Sequence, residues 1–385
     1  MKILVAPDSY KGSLTSIEVG RLVKEAFRLE FPEATIVVIP MADGGEGTLD
    51  ALIDATNGKR VDLKVTGPLR ELVHTHYGIL GDGQTAVIEV ASIAGLPMVP
   101  HSERNPLVTT TRGVGEAILH AMDLGYRQFV IGLGGSATND AGLGMLQVLG
   151  ADFRDDQGHE VESVGGSLAK VKTVDLSRLD ERLHTCAFRV ATDVKNPLCG
   201  KLGASHVFAP QKGASPDQVE QMDSAMSHFA HLIESHAGKS LQNQPGAGAA
   251  GGLGFAFILL GGKLIPGAQL VAEAAGLEAH VQQCDWVITG EGQSDYQTVF
   301  GKVPYYIGQL AKQANKRAIL LSGSLGEGAS QLHELFVSLH SIAPGPISLE
   351  DSMKHGATYI TQAARNIARL IKAASRRNDH GTSSK

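Results

Sequence analysis

The sequence predicts an α/β protein, with a doubly wound parallel-sheet domain built from both chain ends and a second α/β domain with a mixed sheet inserted between them. Three observations carry this. Short, continuous apolar runs alternate with amphipathic stretches at both ends, at 3–6 and 35–39 and again at 286–289, 318–321 and 335–339. The segment between them has a different, antiparallel texture. Glycine supplies 46 of 385 residues, without a G-X-Y period, so the excess belongs in loops of a folded chain with 43% hydrophobic content.

The elements follow in order. The run 3–6 is apolar throughout, as expected of a strand covered on both faces. Thr15-Ser16-Ile17-Glu18 is a capping box, and Val19, Leu22, Val23 and Ala26 then recur at helical spacing. With the β-branched run 35–39 this makes a βαβ unit, which demands parallel strands. Runs 61–65, 74–80 and 85–90 read as a meander, with Gly81-Asp82-Gly83 as its hairpin turn. Run 128–131 fits either sheet. The first domain is placed at 1–60 plus 285–375 and the inserted one at 61–284, with the polar tail 376–385 expected to fray.

Composition excludes several classes. The formal charge of −6 and 5% aromatics give neither the basic face nor the stacking platforms that nucleic acid requires. The densest apolar stretch, 255–260, is far shorter than the ~20 residues of a membrane span. Cys186, Cys199 and Cys284 are odd in number and never paired as CxxC, so neither a disulfide framework nor a zinc knuckle is expected. The first apolar run is too short for a signal peptide, and a reducing cytoplasm is the expected home.

The informative feature is what the loops contain. Asp43-Gly44-Gly45-Glu46-Gly47-Thr48 follows the second strand, Gly132-Leu133-Gly134-Gly135-Ser136-Ala137-Thr138-Asn139-Asp140 follows run 128–131, and Asp193-Val194-Lys195-Asn196-Pro197 follows run 187–190. Gly290-Glu291-Gly292-Gln293-Ser294-Asp295 follows 286–289. Ligands of open parallel sheets bind beyond the carboxyl ends of strands, where such loops lie. Each loop joins backbone N–H groups, which attract an anion, to a carboxylate, which repels one. A cation between the two reconciles them. Mg²⁺ takes one or two carboxylates plus phosphate oxygens, so the combination points to phosphoryl transfer from a nucleotide. Taken singly, each acid is equally a helix cap or turn residue.

Lys11, Lys212, Lys302, Arg70 and Arg104 stand beside glycine or in polar loops and are the candidate cations for a substrate anion. Other motifs fall short. Gly238-Lys239-Ser240 lacks the first glycine of a P-loop, because Ile233 stands there. No kinase HRD or DFG set is present. Gly132-Leu133-Gly134-Gly135-Ser136-Ala137 matches the dinucleotide pattern, with Asp152 twenty residues beyond Gly132, which keeps a nicotinamide dehydrogenase open. Against it, Asp140 is expected in the first turn of the next helix, where it would repel a pyrophosphate. A non-catalytic binding protein for a small acid is the third reading. His74 and His76 share one strand face and read as solvated.

The chain resembles the bacterial glycerate kinases of the two-domain type, from about residue 2 to residue 370. The resemblance rests on Asp8-Ser9-Tyr10-Lys11-Gly12-Ser13-Leu14, Met41-Ala42-Asp43-Gly44-Gly45-Glu46-Gly47-Thr48, Gly134-Gly135-Ser136-Ala137-Thr138-Asn139-Asp140 and Asp193-Val194-Lys195-Asn196-Pro197-Leu198-Cys199-Gly200. Pro210-Gln211-Lys212-Gly213-Ala214, the glycine-rich stretch 246–252, Thr289-Gly290-Glu291-Gly292, Gln297-Thr298 and Gly301-Lys302 continue it. It departs at Tyr10 for the usual Phe, Ala141 for Gly, Gln293 for Arg and Ala209 for Gly. The resemblance implies a Rossmann-like domain with an inserted α/β domain, and an ATP- and Mg²⁺-dependent kinase of D-glycerate, with 2-phosphoglycerate as product. Under it, Lys11, Asp43 and Asp193 are the expected catalytic residues, with Asp193 as base or hydroxyl orienter. Ser13, Arg70 and Asn196 are expected to bind substrate. Gly134, Gly135, Ser136, Thr138, Asn139 and Lys212 are expected to bind nucleotide. Asp43 and Glu46 are the expected Mg²⁺ pair, with Asp295 and Glu291 as the alternative pair. The expected partner is the small-molecule substrate, with no nucleic acid or membrane, and the expected state is a monomer or homodimer.

Overall fold

The computed structural model describes residues 1–380 and divides into two compact units. The first comprises Met1–Asp43, Asp50–Ala55 and Val271–Lys385; the second comprises Gly44–Leu49 and Thr56–Leu270.

The first unit is organised by a five-stranded, wholly parallel sheet in the order Ser338–Ser341, Arg317–Ser322, Trp286–Thr289, Lys2–Val5, Thr35–Val38. Ile3 lies between Ile36 and Trp286 in register. The order of strands reverses between Lys2–Val5 and Trp286–Thr289, so the topological switch point is there. Both faces are covered, which explains the unbroken apolar runs. Ile3, Val5, Val19, Phe27, Ile36, Ile288, Ile319 and Ile360 form one core. The helix Ser16–Glu30 starts at the capping box: Glu18 N–H donates to Thr15 Oγ1 at 3.2 Å and Thr15 N–H donates to Glu18 Oε2 at 2.8 Å. Its far end meets the long helix Gly356–His380, where Arg365 and Arg369 pair with Glu30 at 2.8 and 3.0 Å. That helix runs through residues 376–380 of the tail that the sequence predicts to fray, and residues 381–385 lie outside the described residues.

The second unit holds a six-stranded mixed sheet in the order Lys263–Ile265, Ala187–Ala191, Gln128–Gly132, Thr85–Glu89, Leu72–Ile79, Lys59–Thr66. The first four strands are mutually parallel, and Leu72–Ile79 pairs antiparallel with the strand on either side of it, Thr85–Glu89 and Lys59–Thr66. The run 128–131, which the sequence leaves to either sheet, is central here. The expected hairpin is present: Gly83 N–H donates to Leu80 O, and Asp82 Oδ1 accepts from the amides of Gln84 and Thr85 at 2.9 Å each.

One strand is displaced. The sequence predicts an extended run at 335–339, yet Leu335 closes the 3₁₀ turn Ala329–Glu334 and the strand is Ser338–Ser341. This strand lies at the sheet edge and is only half buried, so a polar Ser-Leu-His-Ser sequence suffices. No helix among the described residues is long and apolar enough to cross a membrane.

Candidate active site

In the first unit, two loops leave the strands that flank the switch point, the place where open α/β sheets bind ligands. The loop after Lys2–Val5 carries Asp8, Tyr10, Lys11 and Ser13; the loop after Trp286–Thr289 carries Glu291, Ser294 and Asp295. The two loops are bonded together. Asp8 N–H donates to Gly290 O at 2.9 Å, and the Tyr10 hydroxyl donates to Leu321 O of the adjacent strand Arg317–Ser322 at 2.6 Å. A Cβ at Gly290 would lie 1.6 Å from Leu321 O, so only glycine permits this approach. Tyr10, the departure from the usual Phe, thus adds a buried hydrogen bond.

Three carboxylates and two lysines gather here. Lys11 Nζ lies 3.2 Å from Asp43 Oδ2, with the Lys11 side chain 79% exposed. Asp43 holds the ammonium form of Lys11 and pushes its pKa above the usual lysine value. Asp8 is buried and 6% exposed. Burial first, and the charge of Asp43 second, push its carboxyl up to about 7. Glu291 is equally buried and takes the hydroxyls of Thr298 and Ser294 on Oε1 at 2.7 and 3.0 Å. Lys302 Nζ stands 3.6 Å from its other oxygen. Burial raises the Glu291 pKa, opposed by Thr298 and Lys302. A half-exposed cation beside hard oxygen donors is suited to a phosphorylated or carboxylated ligand. Among the described residues no group of three or more His, Cys, Asp or Glu is placed to hold a metal. Mg²⁺ needs only one or two carboxylates, and Asp43 with Asp8 meets that requirement.

In the second unit, the glycine loop after Gln128–Gly132 exposes Gly135 and buries the residues beyond it. Ser136 is 6% exposed, and Thr138, Asn139 and Asp140 are fully buried. Asp140 does not lie in the next helix. The helix Leu143–Val148 begins after Gly142, and Asp140 precedes it. Its Oδ2 accepts from the Thr111 amide at 2.9 Å and hydroxyl at 2.8 Å, and its Oδ1 from the Gly142 amide at 3.1 Å. Ala141, where glycine is usual, has φ +52°, which explains that preference. Lys212 is 3% exposed and donates to Ser136 Oγ at 2.9 Å and Thr138 O at 2.7 Å. Burial pushes its pKa down to about 7. Lys212, Thr138 and Asn139 therefore hold the loop from behind, and Gly134 and Gly135 form its open edge. Thr138 Oγ1 and Asn139 Oδ1 are buried without a hydrogen-bond partner among the described residues.

The glycerate kinase family model matches residues 3–372. The chain belongs to the glycerate kinase family. It is 46% identical over 376 residues to a glycerate kinase of Bacillus subtilis (strain 168), covering 97% of this chain and 98% of that one. It is 45% identical over 373 residues to the glycerate 2-kinase of Escherichia coli (strain K12), covering 96% and 98%. The crystal structure of a glycerate kinase 2 candidate from Salmonella typhimurium LT2 superposes with a TM-score of 0.89 at 44% identity, covering 98% of this chain and 99% of the other.

Membership of the glycerate kinase family removes the dehydrogenase reading, and the structure agrees: Asp152 is engaged by Arg154 at 2.8 Å and Arg178 at 3.8 Å. The remaining expected residues are scattered among loops of both units. Ser13 Oγ donates to Met353 O at 2.8 Å. Asp295 accepts from the Gln297 amide at 2.8 Å and the Gln293 side chain at 3.3 Å, both turn contacts. Glu46 is exposed and falls in the second unit, while Asp43 falls in the first. Asp193 is exposed, and its Oδ1 takes the Gly267 amide at 2.8 Å, where the helix Gly267–Ala274 begins. Asn196 Nδ2 donates to Leu202 O at 2.8 Å, and Arg70 pairs with Glu162 at 3.2 Å on an exposed surface.

Two buried acids escape sequence reasoning as site residues. Asp8 reads in sequence as the residue that ends a strand, although its place at a strand's carboxyl end is an available signal. Glu89 ends the strand Thr85–Glu89 and accepts from the Gly47 and Leu49 amides at 3.4 and 3.1 Å.

Proposed function

We propose that this protein phosphorylates D-glycerate at its 2-hydroxyl, using ATP with Mg²⁺ and releasing 2-phosphoglycerate and ADP in glycerate breakdown. The observation that carries the reading is 45% identity, over 96% of the chain, to a protein named glycerate 2-kinase. The geometry that supports it is the gathering of Asp8, Asp43 and Glu291 with Lys11 and Lys302 at a switch point. Lys11 is the cation for the transferred phosphoryl group or the substrate carboxylate. Asp43 and Asp8 are the carboxylates that would hold Mg²⁺, which when bound supplies neutralisation of phosphate charge. Glu291 fixes Lys302 and the loop of Ser294 and Thr298. Asp193 is the acceptor for the hydroxyl proton, oriented by the Gly267 amide, with Asn196 shaping its loop. The open edge of Gly134 and Gly135 offers backbone to the phosphates, backed by Lys212 and Ser136. Positioning and charge neutralisation suffice, because phosphoryl transfer runs through a loose transition state.

The test mixes purified protein, ATP, Mg²⁺ and D-glycerate with enolase. Immediate formation of phosphoenolpyruvate is expected, because enolase takes 2-phosphoglycerate directly. Product that appears only after a mutase is added would place the phosphate on the 3-hydroxyl, and no ADP would end the reading.

A further inference from the structure

Glu291 stands on a hydrogen-bond chain whose far end is Ser322, the last residue of the strand Arg317–Ser322. The Ser294 and Thr298 hydroxyls both donate to Glu291 Oε1, at 3.0 and 2.7 Å, and the Ser294 and Ser322 oxygens are 2.8 Å apart. A serine hydroxyl has one proton to give. That of Ser294 goes to Glu291, so the proton between the two serines is that of Ser322. The Ser322 oxygen accepts in turn from the Glu291 N–H at 3.5 Å, which closes a ring. Thr298 is set in the same way: its oxygen accepts the Asp295 N–H at 3.1 Å while its proton serves Glu291. Ser294, Thr298 and Ser322 are fully buried.

This ring is not what fastens the loops. Gly323, Ser324 and Gly326 donate their N–H groups to the carbonyls of Glu291, Gly292 and Ser294 at 2.9, 3.0 and 2.8 Å. The approach is close, and a Cβ at Gly323 would lie 2.2 Å from Gly292 O. The backbone alone therefore holds the two segments in contact. What the hydroxyls add is direction. With Oε1 taken by two donors, Glu291 turns Oε2 to Lys302 Nζ at 3.6 Å. The Lys302 side chain is 37% exposed, against 8% for that of Glu291, so Lys302 is the member of the chain that can meet a ligand. The same loop abuts the other lysine of the site, because a Cβ at Gly292 would lie 3.4 Å from Lys11 N.

We propose that Ser322 is a positioning residue of the kinase reaction, acting through Ser294 on Glu291 and so on where Lys302 presents its ammonium to an oxyanion of the ligand. The oxyanion is the carboxylate of the hydroxy acid or a phosphate of the nucleotide. Its assignment to either co-substrate rests on the proposed function; the order of the chain from Ser322 to Lys302 does not.

The test uses the full chain and the variants Ser322→Ala, Ser294→Ala and Lys302→Met, with each serine variant also combined with Lys302→Met. ADP formation from ATP and D-glycerate is measured with Mg²⁺ present, together with melting temperature and equilibrium binding of each co-substrate. Groups that act as one network are apportioned only by such a cycle. Each serine variant is expected to melt within a few degrees of the wild type and to lose about tenfold in kcat/KM, the scale of one hydrogen bond to a charged group. In the Lys302→Met background the same serine change should cost less than about twofold, because the residue it acts through is gone. A KM rise confined to glycerate assigns the oxyanion to the carboxylate, and one confined to ATP assigns it to the phosphate. Wild-type kcat/KM in both serine variants overturns the proposal. So do losses that multiply in full with that of Lys302→Met, and so does a loss that only follows a collapse in melting temperature. Should Ser322→Ala fail to fold, the cycle of Ser294→Ala with Lys302→Met decides by the same criteria. Phosphate found on the 3-hydroxyl would end the proposed regiochemistry and leave this chain standing. A wild type that makes no ADP from glycerate would end the proposed function. The cycle is then read on the affinities for ATP and for D-glycerate, where full multiplication, or no loss, overturns the chain as well.

Discussion

Asp193, the proposed acceptor of the hydroxyl proton, also holds a backbone amide. Its Oδ1 takes the Gly267 amide at 2.8 Å, which orients the carboxylate without burying it. Asn offers the same carbonyl oxygen to that amide but is not a base. Asp193→Asn should therefore leave the melting temperature near that of the wild type while kcat falls by ~10² or more. Wild-type turnover in steady-state assays would remove the base role. Asp8 makes a different statement, about stability. Its carboxyl titrates near 7 in the folded chain, above the ordinary value of 3.8, so the folded state holds its proton more tightly than the unfolded state does. The stability from this group is complete at low pH and is lost as pH rises from about 4 towards 7, by at most about tenfold in the folding constant per pH unit. Asp8→Asn removes that slope. Denaturant unfolding at pH 5, 6, 7 and 8 should show the variant gaining on the wild type up to pH 7 and holding its lead above it. A difference independent of pH would refute the assignment.

At the level of elements, legibility tracks burial. Strands covered on both faces announce themselves as apolar runs, and Trp286–Thr289 lies where the sequence puts it. The helix Ser16–Glu30 is visible through its capping box. The edge strand Ser338–Ser341 is not, because edge pairing asks little of its side chains. The glycine loops are readable as loops, but which of their residues face inward is not. Thr138, Asn139 and Lys212 are polar letters in a sequence, and only the packing shows them buried. That packing depends on the helix Ala249–Leu259, whose first residues depart from helical geometry. Gly251 there has φ +66°, and a Cβ would lie 1.9 Å from Thr138 O. Gly251→Ala should cost on the order of 2 kcal/mol or more, from strain and displacement of the loop. Thermal unfolding measures the loss, and a melting temperature equal to that of the wild type would show that the loop yields freely.

On the scale of the whole molecule, the family, the parallel sheet and the inserted mixed sheet are recognisable, because many short motifs recur in one order along nearly the full chain. What escapes is long-range pairing of charge, such as Glu30 with Arg365 and Arg369, since nothing local ties residues so far apart. The interleaving of the first unit also bears on how the chain is made. Lys2 pairs with Asp285 across 283 residues, so the earliest strand leaves the ribosome long before its neighbour exists. At roughly 5–20 residues per second that delay is on the order of 15 to 60 s. During it the newborn β-edge stays open to chaperones or to neighbouring chains, whereas nearly all of the mixed-sheet unit is synthesised as one uninterrupted stretch, free to settle while translation continues.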